Sequence, residues 1–227
     1  MKRWLASVVA VFCFAPFVLA DNWGAGLKVG VGENDPKDLK ALTGPYTSSS
    51  LDEEGTIYGL EAFYEKALSN EKDSIGVKLG YELFGENEYS SGKEVRSGTT
   101  EEEWDFDAKE KTKAIPLTVY YKRDNGVKKL SYFAGAGVTW IRSKSSWSDK
   151  YEKEVNDVTV DESYDGASAS KSKIFPHIVL GTEYRFTKLF ALGLEAKYNI
   201  NAKVKKSGAV LSDRSGFSAA LTGRFYF

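Results

Sequence analysis

From residue 22 to the last residue, apolar and polar side chains alternate with a period of two in stretch after stretch. That spacing sends successive side chains to opposite faces of a β-strand and predicts strands with one apolar face. Eight stretches carry it, at roughly 22–32, 55–68, 74–85, 113–123, 129–141, 173–186, 189–200 and 216–227. In the first, Trp23, Ala25, Leu27, Val29 and Val31 alternate with Gly24, Gly26, Lys28, Gly30 and Gly32. In the last, Phe217, Ala219, Leu221, Phe225 and Phe227 alternate with Ser218, Thr222, Arg224 and Tyr226. Helical periodicity is weak, and after residue 20 no apolar run is long enough for a membrane-crossing helix.

The gaps between these stretches alternate too. Those after the second, fourth and sixth are short: Ser69–Asp73, the turn around Asn125-Gly126, and Thr187-Lys188. Those after the first, third, fifth and seventh are hydrophilic and about 15 to 30 residues long, more than a compact soluble domain usually tolerates. Short turns at one end, long loops at the other and an even number of strands predict an all-β fold. It is an eight-stranded antiparallel up-and-down transmembrane β-barrel with short periplasmic turns and long extracellular loops.

Alternation alone leaves open which face points inward. A soluble ligand-binding barrel would turn the apolar face in. Three features favour turning it out to lipid. The polar face is rich in glycine and small residues, as a tight lumen requires. Aromatics collect near the strand ends on the apolar face, as interfacial girdles do. Trp23, Tyr64, Tyr121, Phe186, Phe190 and Phe225 fall toward the short turns; Tyr58, Tyr81, Trp140, Tyr198 and Phe217 fall toward the long loops. The Gly-x-Trp signature of lipocalins is missing from the first stretch, where the order is Trp23-Gly24.

The N-terminus, MKRWLASVVAVFCFAPFVLA, changes the picture most. Lys2 and Arg3 precede a short apolar run, and Val18 and Ala20 stand at −3 and −1 of a cleavage site before Asp21, as in a secretory signal peptide. Residues 1–20 are therefore expected to be removed, leaving a barrel domain over 21–227. A lipoprotein reading of Cys13 fails because Phe12 occupies the place of a small residue. The mature chain would lack cysteine, which excludes disulfides and cysteine metal sites. It would hold 29 basic against 32 acidic residues, a net of −3, which argues against nucleic acid as a partner.

"WGAGLKVGVG", "YFAGAGVTW", "HIVLGTEYRF" and the terminal "LTGRFYF" complete a resemblance. The mature chain resembles small eight-stranded outer-membrane barrels of the OmpA/OmpX type, grouped as outer-membrane β-barrel domain or porin-family proteins. The resemblance implies a bacterial outer-membrane location, among outer-membrane lipids and lipopolysaccharide. It also implies that the barrel assembly machinery reads the last strand through Leu221, Phe225 and Phe227, with Gly223 departing from the pattern. The longer family members carry a peptidoglycan-binding domain after the barrel, and none is expected here.

An eight-stranded barrel leaves a lumen that side chains fill. Lys28, Glu61, Lys78, Glu82, Glu183, Arg185, Glu195, Lys197 and Arg224 fall on the inward register, with signs near balance, and predict a plug of paired charges. A gated ion path is the other use of such a set. His177 is the only histidine, and Val179 stands where lipid A deacylases place a serine, so no catalytic residue is expected. Asp161–Gly166 imitates half a calcium loop, but its twelfth position is Ser172 instead of a glutamate, and no cofactor or metal is expected. Glu101, Glu102, Glu103, Asp105 and Asp107 read as a solvated loop, or as a place for divalent cations beside lipopolysaccharide. Pro116 and Pro176 read as features of the barrel rim. Segments 86–112 and 142–172 read as long loops with Trp104, Phe106, Trp147, Tyr151 and Tyr164 as anchors for an extracellular ligand. The expected function is that of a non-enzymatic barrel whose loops serve adhesion, defence or envelope maintenance. A narrow solute conduit and a lipid A-modifying enzyme are the alternatives.

Overall fold

The computed structural model describes residues 22–33, 48–51, 54–69, 72–125, 129–156, 158–206 and 209–227. The expected signal peptide and Gly126 lie outside them. The strands, in chain order, are β1 (Asn22–Glu33), β2 (Ser48–Leu51), β3 (Glu54–Ala67), β4 (Asp73–Phe84), β5 (Asn87–Ser97) and β6 (Thr100–Asp124). There follow β7 (Leu130–Val155), β8 (Val158–Arg185), β9 (Phe190–Asn199), β10 (Lys203–Lys206), β11 (Ala209–Asp213) and β12 (Gly216–Tyr226).

Eight of these form a ring in the order β1-β3-β4-β6-β7-β8-β9-β12, every pair antiparallel. β12 closes it against β1, from Gly24 opposite Tyr226 to Gly32 opposite Ser218. Closure leaves no strand edge in the ring with unpaired backbone groups, a requirement for any sheet standing in lipid.

The apolar face points outward. Leu27, Leu60, Leu180 and Leu194 are each more than half exposed. The outward belt runs from Trp23 to Val31 on β1, Ile115 to Tyr121 on β6, Tyr132 to Trp140 on β7 and Phe217 to Phe227 on β12. Each run is about 7 to 11 residues, against the roughly 9 to 11 that a tilted strand uses to cross a bilayer. Inside, glycines make room for neighbouring rings. A side chain on Gly76 would strike the Tyr120 ring, and one on Gly181 would strike Phe133.

Segments 86–112 and 142–172 are not loops, and here the structure corrects the sequence reading. β6 begins at Thr100, β7 runs on to Val155 and β8 starts at Val158. The β6–β7 register continues unbroken from Asp124 opposite Ser131 to Thr100 opposite Val155. β5 pairs with β6 on the other side and β2 with β5, so a sheet in the order β2-β5-β6-β7-β8 stands beyond the ring. It rises about 45 Å at roughly 3.3 Å per residue. The hydrophobic alternation stops at the belt because the outward face there meets water. Lys113, Lys111 and Lys109 replace Ile115, Leu117 and Val119 on the same face of β6. Strand pairing continues regardless.

Pro116 interrupts the β4–β6 ladder and packs on Gly80, next to Ile115 at the belt's upper edge. Pro176 stands where the β8–β9 ladder ends, one residue before His177 pairs with Asn199. Its carbonyl still accepts from the Ile200 N–H at 3.0 Å, and the proline nitrogen forfeits only the reciprocal bond at that end.

Candidate functional site: a filled lumen beneath a projecting sheet

The lumen is occupied in layers. At the long-loop end, the β10–β11 hairpin turns inward over the mouth. Ala202 and Val204 pack there with Ala114, Ile141, Ala169 and Phe175. Beside them Arg214, 3.3 Å from Glu110, is buried, and Thr112 Oγ1 donates to the same carboxylate at 2.5 Å. Below, His177 is held between Thr118 at 2.8 Å and Thr139 at 2.9 Å, one threonine at each ring nitrogen. Each ring nitrogen is thus engaged by one of these hydroxyls.

The charged layers follow. Glu82 accepts from Lys197 at 2.5 Å and Lys28 at 3.2 Å, and Lys28 also reaches Glu195 at 2.7 Å. Lys78 bonds the same Glu195. Deeper, Arg224 donates to Glu61 at 2.6 Å and Glu183 at 2.9 Å. Lys122 then joins Glu183 at 2.8 Å, Glu65 at 3.1 Å and the Tyr226 hydroxyl at 2.8 Å. Tyr120 closes the layer by donating to Glu65 at 2.8 Å. Among the described residues, Lys28, Lys78, Lys122, Lys197 and Arg224 balance Glu61, Glu65, Glu82, Glu183 and Glu195. A desolvated charge in such a place is tolerable only when paired, and every one of these is.

Eight of the nine residues expected in the lumen therefore meet in one network at full depth. Arg185 joins its edge, 4.0 Å from the Glu183 carboxylate. It stands at the short-turn rim, its guanidinium 4.0 Å from the Tyr226 ring centroid and its side chain about one third exposed. The reading missed Glu65, Lys122 and the Tyr120 and Tyr226 hydroxyls. Their signal was present, since each continues the same two-residue period to its strand's end. Glu110 and Arg214 had no such signal, because they lie in segments that read as loops.

The aromatics expected to anchor a ligand do not form a single site. Trp104 and Tyr151 face each other across β6 and β7 with ring centroids 5.2 Å apart, and Lys93 caps Trp104 at 5.6 Å. Phe106 is buried with Ala108 against Trp147, which removes it as a free anchor. Tyr164 falls on the other register of β8 and is 74% exposed. The half-calcium motif Asp161–Gly166 is extended within β8, without the turn that a calcium loop needs. The acidic residues are carried high on the projecting sheet. Glu103 stands ten residues beyond Lys113, about 33 Å along the strand. There the neighbouring Asp105 carboxylate pushes the Glu103 carboxyl up from its usual range, while Arg96 and Lys153 pair with Glu101 and Glu102.

At the seam of the ring, Leu221, Phe225 and Phe227 all point outward on the last strand. The Phe227 ring lies 4.8 Å from Trp23, and its backbone N–H donates to the Trp23 carbonyl at 2.9 Å.

A closed ring of eight antiparallel strands, apolar outside and charged inside, is one observation; the other is a match of residues 5–225 to the model of the outer membrane protein beta-barrel domain. The chain belongs to that family. It is thus a protein of the bacterial outer membrane. Among solved structures this outer-membrane barrel is similar to Ail, the attachment invasion locus protein of Yersinia pestis. Identity is 11% and the TM-score 0.45, over 92% of this chain and 100% of that one. It is similar also to Neisserial surface protein A, at 11% identity and TM-score 0.39 over 92% and 98%. A third is the N-terminal β-barrel domain of Pseudomonas aeruginosa OprF, at 12% identity and TM-score 0.38 over 90% and 99%. No curated protein matches the chain.

The layered lumen gives an expected electrical behaviour. Purified protein in planar bilayers should show no stable, porin-scale conductance, because the paired charges and the β10–β11 hairpin leave no water-filled path. A reproducible large current from a contaminant-free sample would reject the plug.

Proposed function

We propose that this outer-membrane barrel is a non-enzymatic binding protein whose filled barrel serves as a rigid mount for the sheet that projects from it. One observation carries the reading: β2, β5, β6, β7 and β8 continue as an ordered sheet far beyond the apolar belt. A filled lumen has no transport to perform, whereas a paired sheet presents side chains in fixed register outside the cell. Its inner face offers Trp104 and Tyr151 side by side, rigid aromatics of the kind that dominate binding energy at interfaces. Its far edge, residues 158–172 of β8, is hydrogen-bonded among the described residues only to β7. Adhesion or defence at the cell surface is the role these features support. The test removes the projecting sheet from an intact barrel and reads surface binding of cells that display it.

The same reading includes the assembly machinery as a partner of the last strand. Phe227 lies wholly outside the lumen network, so its deletion should leave the interior intact while lowering the yield of inserted protein several-fold. Heat-modifiable protein in outer-membrane fractions measures this, and wild-type yield after deletion would count against the signal.

A further inference from the structure

The register of the projecting sheet sorts its side chains between two faces. On the inner face, β5, β6, β7 and β8 contribute one row: Ser91, Phe106, Asp149 and Asp165. The row farther from the ring is Lys93, Trp104, Tyr151 and Ser163. The row nearer the ring includes Ala108, Trp147 and Ala167. Asp149 and Asp165 therefore stand directly opposite each other, about 5 Å apart. Trp147 and Tyr151 flank Asp149 along β7, two residues to either side, and Phe106 lies across from it on β6. Two carboxylates are framed by three aromatic side chains.

Like charges placed directly opposite each other destabilise a strand pair. The neighbouring cations of this face are engaged elsewhere. Lys153 pairs with Glu102 at 2.9 Å, and Lys93 lies over the Trp104 ring at 5.6 Å. Among the described residues no cation pairs with Asp149 or Asp165, and both side chains are exposed. At the other end of the row Ser91 is 5% exposed, and among the described residues its hydroxyl has no hydrogen-bond partner. A buried polar group left unpaired carries a cost. A ligand lying along the row meets that hydroxyl at one end and the two carboxylates at the other.

We infer that Asp149 and Asp165, walled by Phe106, Trp147 and Tyr151, bind an arginine side chain presented by a polypeptide partner. This occupant rests on the reading of the sheet as a recognition surface, whose inner face it fills. Charge and shape select it. A guanidinium is planar and offers a fork of five N–H donors, so it spans two carboxylates set about 5 Å apart. Its flat faces stack on indole and phenol rings, and it is more weakly hydrated than an ammonium. A divalent metal ion would call for further oxygen ligands, whereas the positions flanking Asp149 hold aromatic rings. Bound there, the guanidinium turns a repulsive cross-strand pair into a bridged one. The row of Ser91 and Phe106 beside it then receives the backbone or neighbouring side chains of the same partner.

The probe is a glycine-rich nonapeptide with one central arginine, titrated into the folded protein in zwitterionic detergent micelles and followed by tryptophan fluorescence. The comparison peptide carries citrulline in that place, which keeps the shape and removes the charge. The wild type should bind the arginine peptide at least tenfold more tightly. Asp149→Asn/Asp165→Asn should bind both peptides alike, with its fold checked by heat modifiability. Glu103→Gln/Glu152→Gln removes two carboxylates from the outer face and should leave the preference unchanged. Tyr151→Phe keeps the ring and should keep most of the preference, whereas Tyr151→Ala should lose much of it. Calcium at the same concentration should not displace the peptide. Equal wild-type affinity for the two peptides overturns the proposal whether or not the double variant folds. Retention of the preference by a folded Asp149→Asn/Asp165→Asn protein, or displacement by calcium, overturns it as well. Adhesion of displaying cells is scored separately. If adhesion is lost with the sheet while the arginine preference is absent, the recognition surface stands and this occupant alone falls.

Discussion

Replacing Arg224 by alanine is expected to destabilise the barrel by about 3–5 kcal/mol, the usual cost of removing one partner from a buried ion pair. Arg224 is fully buried between Glu61 at 2.6 Å and Glu183 at 2.9 Å, with Glu195 at 3.8 Å. Among the described residues its guanidinium is the one cation that joins the Lys28–Glu195–Lys78 layer to the Glu183–Lys122–Glu65 layer. Without it Glu61 keeps, among the described residues, only the ion pair with Lys78 at 4.0 Å, and carboxylates outnumber cations in the buried network. The loss should therefore reflect the stranded carboxylates more than the missing bonds. A double variant, Arg224→Met with Glu61→Gln, should recover much of the deficit, because it removes the orphaned charge together with its partner. Deleting the exposed Lys109, paired at 2.8 Å with the exposed Glu88, should change stability too little to measure. Urea unfolding in liposomes, followed by tryptophan fluorescence, compares the four proteins. An Arg224→Ala barrel within about 1 kcal/mol of wild type would mean that the network contributes specificity without stability.

The contrast between belt and sheet explains what the sequence made legible. In lipid, every second residue of a ring strand faces hydrocarbon, so the alternation in β1 or β9 is enforced and their observed limits, Asn22–Glu33 and Phe190–Asn199, fall within a residue of the pattern. Above the belt both faces of a strand tolerate polar side chains. There "KEKTK", residues 109–113, reads as solvated loop although it is the middle of the 25-residue β6. Its strand character comes from pairing with β5 and β7, which single-sequence periodicity does not carry. The lumen charges were legible for the same reason as the belt, since an inward lysine or glutamate breaks an otherwise apolar or small pattern. Their partners were not. Lys28 meets Glu195 only because β12 lies between β1 and β9 in the ring, and Glu110 meets Arg214 only because the β10–β11 hairpin folds over the mouth. Such pairings belong to topology.

Topology also decides where the projecting sheet can be cut, and this gives the second large effect. Joining Tyr89 to Ala108 and Ser146 to Ser168 with short turns removes residues 90–107 and 147–167. The cut follows the observed register, in which Ser90 faces Asp107 and Trp147 faces Ala167. The ring, the charged layers and the mouth cluster of Ala114, Ile141, Ala169, Phe175, Ala202 and Val204 all remain. Shorter connections cost little closure entropy, so the barrel should fold with a stability change on the order of 1 kcal/mol. Surface binding should nevertheless disappear, because Trp104, Tyr151, Tyr164 and the β8 edge go together. Cutting at the belt instead, by removing all of 86–112 and 142–172, should harm the barrel itself. That deletion takes Glu110 from the buried Arg214 and the Ala169 side from Ile141 and Val204, leaving an unpaired charge and exposed apolar surface at the mouth. Gel-shift folding assays and adhesion of cells displaying each variant provide the two measurements. A high-cut barrel that folds and still adheres at wild-type level would assign recognition to the ring's remaining rim, and equal folding of both cuts would show that Arg214 and Glu110 do not hold the mouth closed.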